Sequence, residues 1–237
     1  MQEFWMGLGR IVIYFVICAS TAYLCRVLFR IPTEIFRKTL HLILLGSLPV
    51  FVFGFDTWWI AATAAILFEI VVFPILKFFE RFRNYSSFVI ERKNGELKSS
   101  LLLVFTMFAL VMTICWGWLH DRWLVLASVY AWGFGDAAAA LIGKRFGKHK
   151  INWKYIDGRK SFEGSGAMFA VSLLSLLVIL SLRGGLSPAA LIAVSMVTAA
   201  VSTLSELYTP GGNDTVTCPL SAMAVLLPLL ALFGGLV

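Results

Sequence analysis

Three acidic residues, Glu69, Asp136 and Glu206, fall inside long apolar runs of this sequence. An ionisable group within hydrocarbon is costly and marks a functional candidate by default. Glu69 stands alone between apolar neighbours, and an interhelical structural role suits it at least as well as a chemical one. Asp136 has a richer setting, GFGDAAAALIGKRFGKHK. At about 100° per residue, Gly133, Asp136, Ala139, Ala140, Gly143 and Gly147 share one helical face nearly free of side-chain bulk. Taken alone, that face reads equally well as close helix packing through small residues. It leads directly into Lys144, Arg145, Lys148, His149 and Lys150. A carboxylate at the base of a cleft, close backbone approach and a basic rim fit a metal-bound polyphosphate. Magnesium takes one or two carboxylates plus phosphate oxygens, and lysines neutralise the remaining charge.

Further along, GRKSFEGSG places Arg159 and Lys160 before Ser161, Glu163 and Gly164, just ahead of another apolar run. Glycine lets a ligand approach the backbone, and nascent-helix N–H groups from Glu163 onward suit an anion. On its own, a capped helix start with solvated charges explains this stretch better. In STLSELYTPGGNDTVTCP, Ser202 and Thr203 lie one turn before Glu206. The Pro210-Gly211-Gly212 turn then delivers Asn213, Asp214, Thr215 and Thr217. That density of oxygen-bearing side chains beside apolar runs favours a ligand or metal over a mere turn. Near the N-terminus, IPTEIFRKTLHLILLG groups Arg37, Lys38 and His41, three to four positions apart on a helix. Glu34 can pair with either base. A basic membrane anchor accounts for Arg37 and Lys38 but leaves His41 without a role. His120 and His149 read as exposed loop residues.

The elements that must position these groups are membrane helices. The 237 residues are 59% hydrophobic, with a mean hydropathy of +0.86, more apolar surface than a soluble core can hide. Apolar runs of roughly 20 residues, the length that crosses the hydrocarbon, fall near 4–25, 39–56, 58–76, 99–119, 123–143, 166–183, 187–206 and 219–236. The expectation is an all-α, polytopic bundle of about eight spans forming a single membrane domain over 1–237, with its first helix retained. Of 20 Lys and Arg residues, 17 lie in the segments 26–38, 77–98 and 144–165. By the positive-inside rule these segments, with 207–218, are expected to be cytoplasmic and both termini outside. The 77–98 stretch mixes phenylalanines with charges and reads as an interfacial amphipathic segment. The net charge of +7 does not indicate a nucleic-acid partner, because the basic residues are confined to short connections between apolar runs. Cys18, Cys25, Cys115 and Cys218 are scattered, without a Cys-x-x-Cys or Cys/His cluster, so neither a disulfide framework nor a zinc site is expected.

Together these residues resemble the CTP-dependent lipid kinases, the family of dolichol kinase, phytol kinase and the yeast-type diacylglycerol kinase. The family's D-x-x-A-x-x-x-G-x-x-x-G element matches Asp136, Ala139, Gly143 and Gly147. Its K-[ST]-x-E-G matches Lys160, Ser161, Glu163 and Gly164, its early R-K-x-x-H matches Arg37, Lys38 and His41, and its late acidic turn matches Glu206 and the 211–219 run. The four elements occur in order from residue 37 to residue 219. Many of these kinases read Asp-Asn where this chain has Asn213-Asp214.

The resemblance implies Mg²⁺ and CTP as co-substrate, a membrane lipid alcohol (phytol, another polyprenol or diacylglycerol) as acceptor, and transfer of the γ-phosphoryl group. It implies metal binding by Asp136, Glu163 and Asp214. Phosphate contacts would come from Lys38, Lys144, Lys148 and Lys160, beside Gly143, Gly147, Ser161 and Gly164. Arg37 and His41 would contact phosphate or steer the acceptor, and Glu206 would act as general base. The phytol-kinase type is the nearest, given the compact length and the Glu-Leu-Tyr-x-Pro-Gly-Gly turn. The two middle elements are also similar to phosphatidate cytidylyltransferase, whose characteristic ending is absent here. A transporter is the remaining alternative, disfavoured because the polar residues gather toward one face rather than at paired broken helices near the midplane. A homo-oligomer stays open.

Overall fold

The structure, a computed structural model, describes residues 1–79, 96–156, 158–209 and 213–236. Most of the expected interfacial segment at 77–98 lies outside the described residues, as do Asp157 and the turn Pro210-Gly211-Gly212. The described residues are helical, without strands; one isolated antiparallel bridge pairs Lys150 with Ser161. Eight spans among them are long and apolar enough to cross a membrane, as the hydropathy pattern requires. The chain is an integral membrane protein, and it divides into two compact units, Met1–Trp118 and Leu119–Val237.

The first unit begins with α1 (Gln2–Phe29), followed by α2 (Thr33–Gly46) and α3 (Leu48–Gly54), which together make the second span. The interruption at Ser47 has a local cause. Pro49 lacks an N–H, and its ring crowds the carbonyl one turn earlier. Ser47 compensates by donating its hydroxyl to the Leu44 carbonyl at 2.6 Å. Next come α4 (Trp58–Phe79) and α5 (Glu96–Val111), which runs on as a π-helix over Met112–Trp118. A cluster of Phe15, Phe51, Phe68, Phe105 and Phe108, in edge-to-face and stacked pairs, joins α1, α3, α4 and α5. Polar groups on α1 are spent on backbone. Glu3 accepts from the Asp56 and Thr57 amides at 2.9 Å each, which caps the start of α4. Arg10 donates to the Gly54 carbonyl at 2.6 Å and Tyr14 to that of Ile43 at 2.7 Å. Glu69 accepts from Thr106 at 3.1 Å, an interhelical bond between α4 and α5.

The second unit contains α6 (Arg122–Phe146), α7 (Phe162–Arg183), α8 (Pro188–Tyr208) and α9 (Asp214–Leu232). Each start follows from its sequence. Asp121 caps α6, accepting from Trp123 N at 2.9 Å and Leu124 N at 3.3 Å. Ser161 caps α7 and Ser187 caps α8, which has Pro188 at its first position. Pro219 and Pro228 lie within α9; prolines are tolerated in spans when neighbours satisfy the freed carbonyls.

Contact between α6 and α7 depends on small residues. A Cβ on Gly164 would sit 3.1 Å from the Ala139 carbonyl oxygen and 3.3 Å from Gly143 Cα. Further along the same contact, Gly135 faces Ser172 and Met168. From α8, Ser202 donates to the Ala131 carbonyl of α6 at 2.9 Å. Of these contacts, those at Ala139 and Gly143 fall on the small face predicted around Asp136.

Several helices overrun the apolar windows: α7 begins at Phe162 rather than 166 and α9 at Asp214 rather than 219. Hydropathy reports the hydrocarbon-matched part of a helix, whereas backbone hydrogen bonding continues into polar residues until a cap stops it.

At the end of this unit opposite Lys160, the Arg183 guanidinium pairs with Asp121 at 2.5 Å and also donates to the Gly235 carbonyl. One side chain thereby ties the start of α6 to the end of α7 and the segment after α9. Arg183→Ala is expected to lower stability by about 1–3 kcal/mol, the scale for stranding a hydrogen-bonded charge. A fall in the thermal midpoint of detergent-solubilised protein checks this, and an unchanged midpoint contradicts it.

Candidate functional site

The site is assembled at the end of the second unit where α6 finishes, α7 begins, α8 finishes and α9 begins. The connection from Gly147 to Ser161 folds back on itself. Ile151 N donates to the Lys160 carbonyl and Phe162 N to the His149 carbonyl, each at 3.0 Å, and Ile156 N donates to the Trp153 carbonyl at 3.1 Å. Its apolar residues Ile151 and Ile156 are buried in one cluster with Leu207 of α8. The loop is therefore docked on the last turn of α8 rather than free in solvent, and Lys160 is delivered to that turn.

Lys160 is largely buried, its side chain 18% exposed. Its ammonium forms an ion pair with Glu206 Oε1 at 3.0 Å. It also donates to the Glu206 carbonyl, and reaches the Leu207 and Thr209 carbonyls at 3.3 and 3.4 Å. These carbonyls belong to the helix end, where no further turn satisfies them. Glu206 in turn stands in the electrostatic field of Asp136 and Asp214. Three carboxylates and one ammonium, from α6, α8, α9 and the loop, thus share one neighbourhood. Asp214 occupies the first turn of α9, where a negative charge is favoured by the helix dipole. Asp136 and Asp214 are both half-buried.

Glu163 is engaged elsewhere. Its carboxylate accepts from the His149 amide at 3.2 and 3.3 Å and contacts His149 Nδ1 at 2.7 Å. Nothing in the spacing signals this pair, because the partners are 14 positions apart and meet only once the loop folds back. Ser161 is buried, and its hydroxyl accepts from Gly164 N at 3.2 Å. A Cβ on Gly143 would lie 3.3 Å from that hydroxyl, and one on Gly147 would strike the Gly143 carbonyl and Ser161. Gly143, Gly147, Ser161 and Gly164 are thus committed to packing and capping. Lys144 and Lys148 lie exposed on the rim.

Arg37, Lys38 and His41 lie on α2 in the first unit. Arg37 pairs with Glu34, the partner anticipated from their spacing. Lys38 is buried, with 7% exposure. The neighbouring Phe36 ring carries the Arg26 guanidinium at 4.5 Å.

No three His, Cys, Asp or Glu side chains among the described residues form a group able to hold a metal ion by themselves. A magnesium ion carried by a nucleotide needs only one or two protein carboxylates, with phosphate and water completing its shell. Asp136 and Asp214, hard oxygen donors that each act on Glu206 electrostatically, are the carboxylates that would meet that requirement. Glu163, the third carboxylate of the expected metal set, faces His149 Nδ1 at 2.7 Å.

No family model matches the chain, and no solved structure does. A phytol kinase of Synechocystis sp. is 26% identical over 229 residues, covering 93% of this chain and 90% of the relative. The match spans nearly the whole of both proteins, including both units described above. It bears out the resemblance carried by the four ordered motifs: along nearly its full length, the chain is similar to a lipid kinase of the phytol-kinase type.

Proposed function

We propose that the protein is a CTP-dependent lipid kinase that transfers the γ-phosphoryl group of CTP to the hydroxyl of a membrane lipid alcohol. The observation that carries this reading is the Lys160–Glu206 ion pair at one end of the second unit, with Asp136 and Asp214 near enough to act on Glu206 electrostatically and a basic rim beside it. The full-length similarity to a phytol kinase supports it and favours a polyprenol-type acceptor. The distribution of Lys and Arg supports a site facing the cytoplasm.

Phosphoryl transfer asks a protein for positioning and charge neutralisation more than for covalent chemistry. Magnesium, when bound, would neutralise the phosphate oxygens. Asp136 and Asp214 would hold it, and the exposed ammonium groups of Lys144 and Lys148 would take the nucleotide's phosphates. Glu206 would receive the acceptor's proton. Its Oε1 is held by Lys160, while Oε2 has no partner among the described residues. In the balanced step, the lipid oxygen bonds to the γ-phosphorus and the β–γ bridging bond breaks. The hydroxyl proton passes to Glu206, and CDP leaves.

Substrate choice is tested by incubating purified protein with γ-labelled nucleoside triphosphates and a panel of lipid alcohols. Label is expected in the lipid extract with CTP and a polyprenol-type alcohol, and it should disappear when magnesium is chelated. Equal labelling from every nucleotide would remove the CTP assignment. Labelling of diacylglycerol alone would reassign the acceptor.

A further inference from the structure

Every lysine near the site was a candidate phosphate ligand by charge, but the structure divides them. Lys148 is exposed and has no partner among the described residues. Lys160 has three N–H groups facing four protein acceptors: the Glu206 carboxylate and the carbonyls of Glu206, Leu207 and Thr209. An ammonium has three protons and no others to offer. To bind phosphate, Lys160 would have to leave a helix end whose carbonyls have no other continuation, and strand a carboxylate that is 14% exposed. It would also have to pull against a loop fastened by Ile151, Ile156 and Leu207.

We infer that Lys160 is a positioning residue: it fixes the last turn of α8 and aims the Glu206 carboxylate at the acceptor, while the exposed lysines of the rim take the phosphates. The inference rests on the proposed kinase reading for its catalytic consequence, and on geometry alone for its structural one. Lys160 contributes to turnover through Glu206 and only weakly to nucleotide affinity. Its effect is absent when Glu206 can no longer act.

The test compares Lys160→Met, Lys160→Arg, Glu206→Gln and the Lys160→Met/Glu206→Gln double variant, with Lys148→Ala as the phosphate-side contrast. Lys160→Met is expected to lower kcat by about a hundredfold, the scale of a positioned general base, with KM for CTP changed less than about threefold. Lys160→Arg, which can reach the same oxygens, should recover part of the loss. The double variant should be no slower than Glu206→Gln alone, as for residues acting as a unit. Lys148→Ala should do the opposite and raise KM for CTP.

A rise in KM for CTP of tenfold or more in Lys160→Met, with kcat retained, would overturn the inference. So would additive losses in the double variant. Hydrogen exchange of the amides at 206–209 supplies a readout independent of activity, and it should accelerate in Lys160→Met. If the unaltered protein phosphorylates no lipid yet exchange accelerates, the kinase reading fails and the structural role stands. If exchange is unchanged, the positioning role itself is refuted.

Discussion

Asp136→Asn is expected to abolish CTP-dependent lipid phosphorylation while leaving the protein expressed and folded. The substitution exchanges one carboxylate oxygen for an amide at nearly constant shape, so packing around α6 should survive. Asp136 is half-buried between the buried residues Gly135 and Ala137 and lies in the field that reaches Glu206. Within the proposed mechanism it loses the charge that would hold magnesium. A metal ion at a phosphoryl oxygen provides several kcal/mol of transition-state stabilisation. At about 1.4 kcal/mol per tenfold, the rate should fall by at least about a thousandfold. Initial rates with saturating CTP, alongside a thermal midpoint for the variant, check it. Near-normal activity would remove Asp136 from the site.

The second large effect concerns packing. Gly164→Val is expected to destabilise the second unit by about 1–3 kcal/mol or more, the usual cost of overfilling a packed interface. Its first added carbon would already lie 3.1 Å from the Ala139 carbonyl oxygen and 3.3 Å from Gly143 Cα, and backbone cannot yield as a flexible side chain does. The added methyl groups require α6 and α7 to separate. That separation would disturb Asp136 and the Ser161 cap together, so activity should fall with stability. Gly166→Val is the matched control. It lies in the same helix two residues on, with nothing within 4 Å of its added carbon. A midpoint lowered by several degrees for the first and little changed for the second is the expected pair of results. Equal effects would show that helix propensity, not close approach, governs both.

The contrast between these two glycines shows what the sequence could and could not reveal. The periodicity of Gly133, Asp136, Ala139, Ala140, Gly143 and Gly147 announced a thin helical face, and α7 does approach Ala139 and Gly143 closely through Gly164. Nothing in the spacing distinguishes Gly164, pressed on backbone, from Gly166, which is open. The eight spans were legible because each must bury a hydrocarbon-length run of apolar side chains. Their polar ends were less so, since Asp214 and Phe162 enter helices through capping and backbone bonding that hydropathy does not register.

The site was legible as a set of residue types and opaque as a set of partners. Lys160 and Glu206 are 46 positions apart, and they meet where the loop folds back and docks Ile151 and Ile156 on Leu207. His149, read as a bare loop residue, is exposed but is joined to Glu163 by the same fold-back. Glu69 behaves as its isolation in the sequence suggested, bonding a neighbouring helix through Thr106.

The most direct test of the central claim follows the phosphorus atoms of CTP. Purified protein in lipid vesicles containing a polyprenol-type alcohol is given CTP labelled at either the α- or the γ-phosphate, and the extracted lipid is counted. The proposed reaction places γ-label in the lipid and leaves α-label in the aqueous CDP. Lipid carrying α-label but no γ-label would contradict it, because that outcome requires transfer of the cytidylyl group.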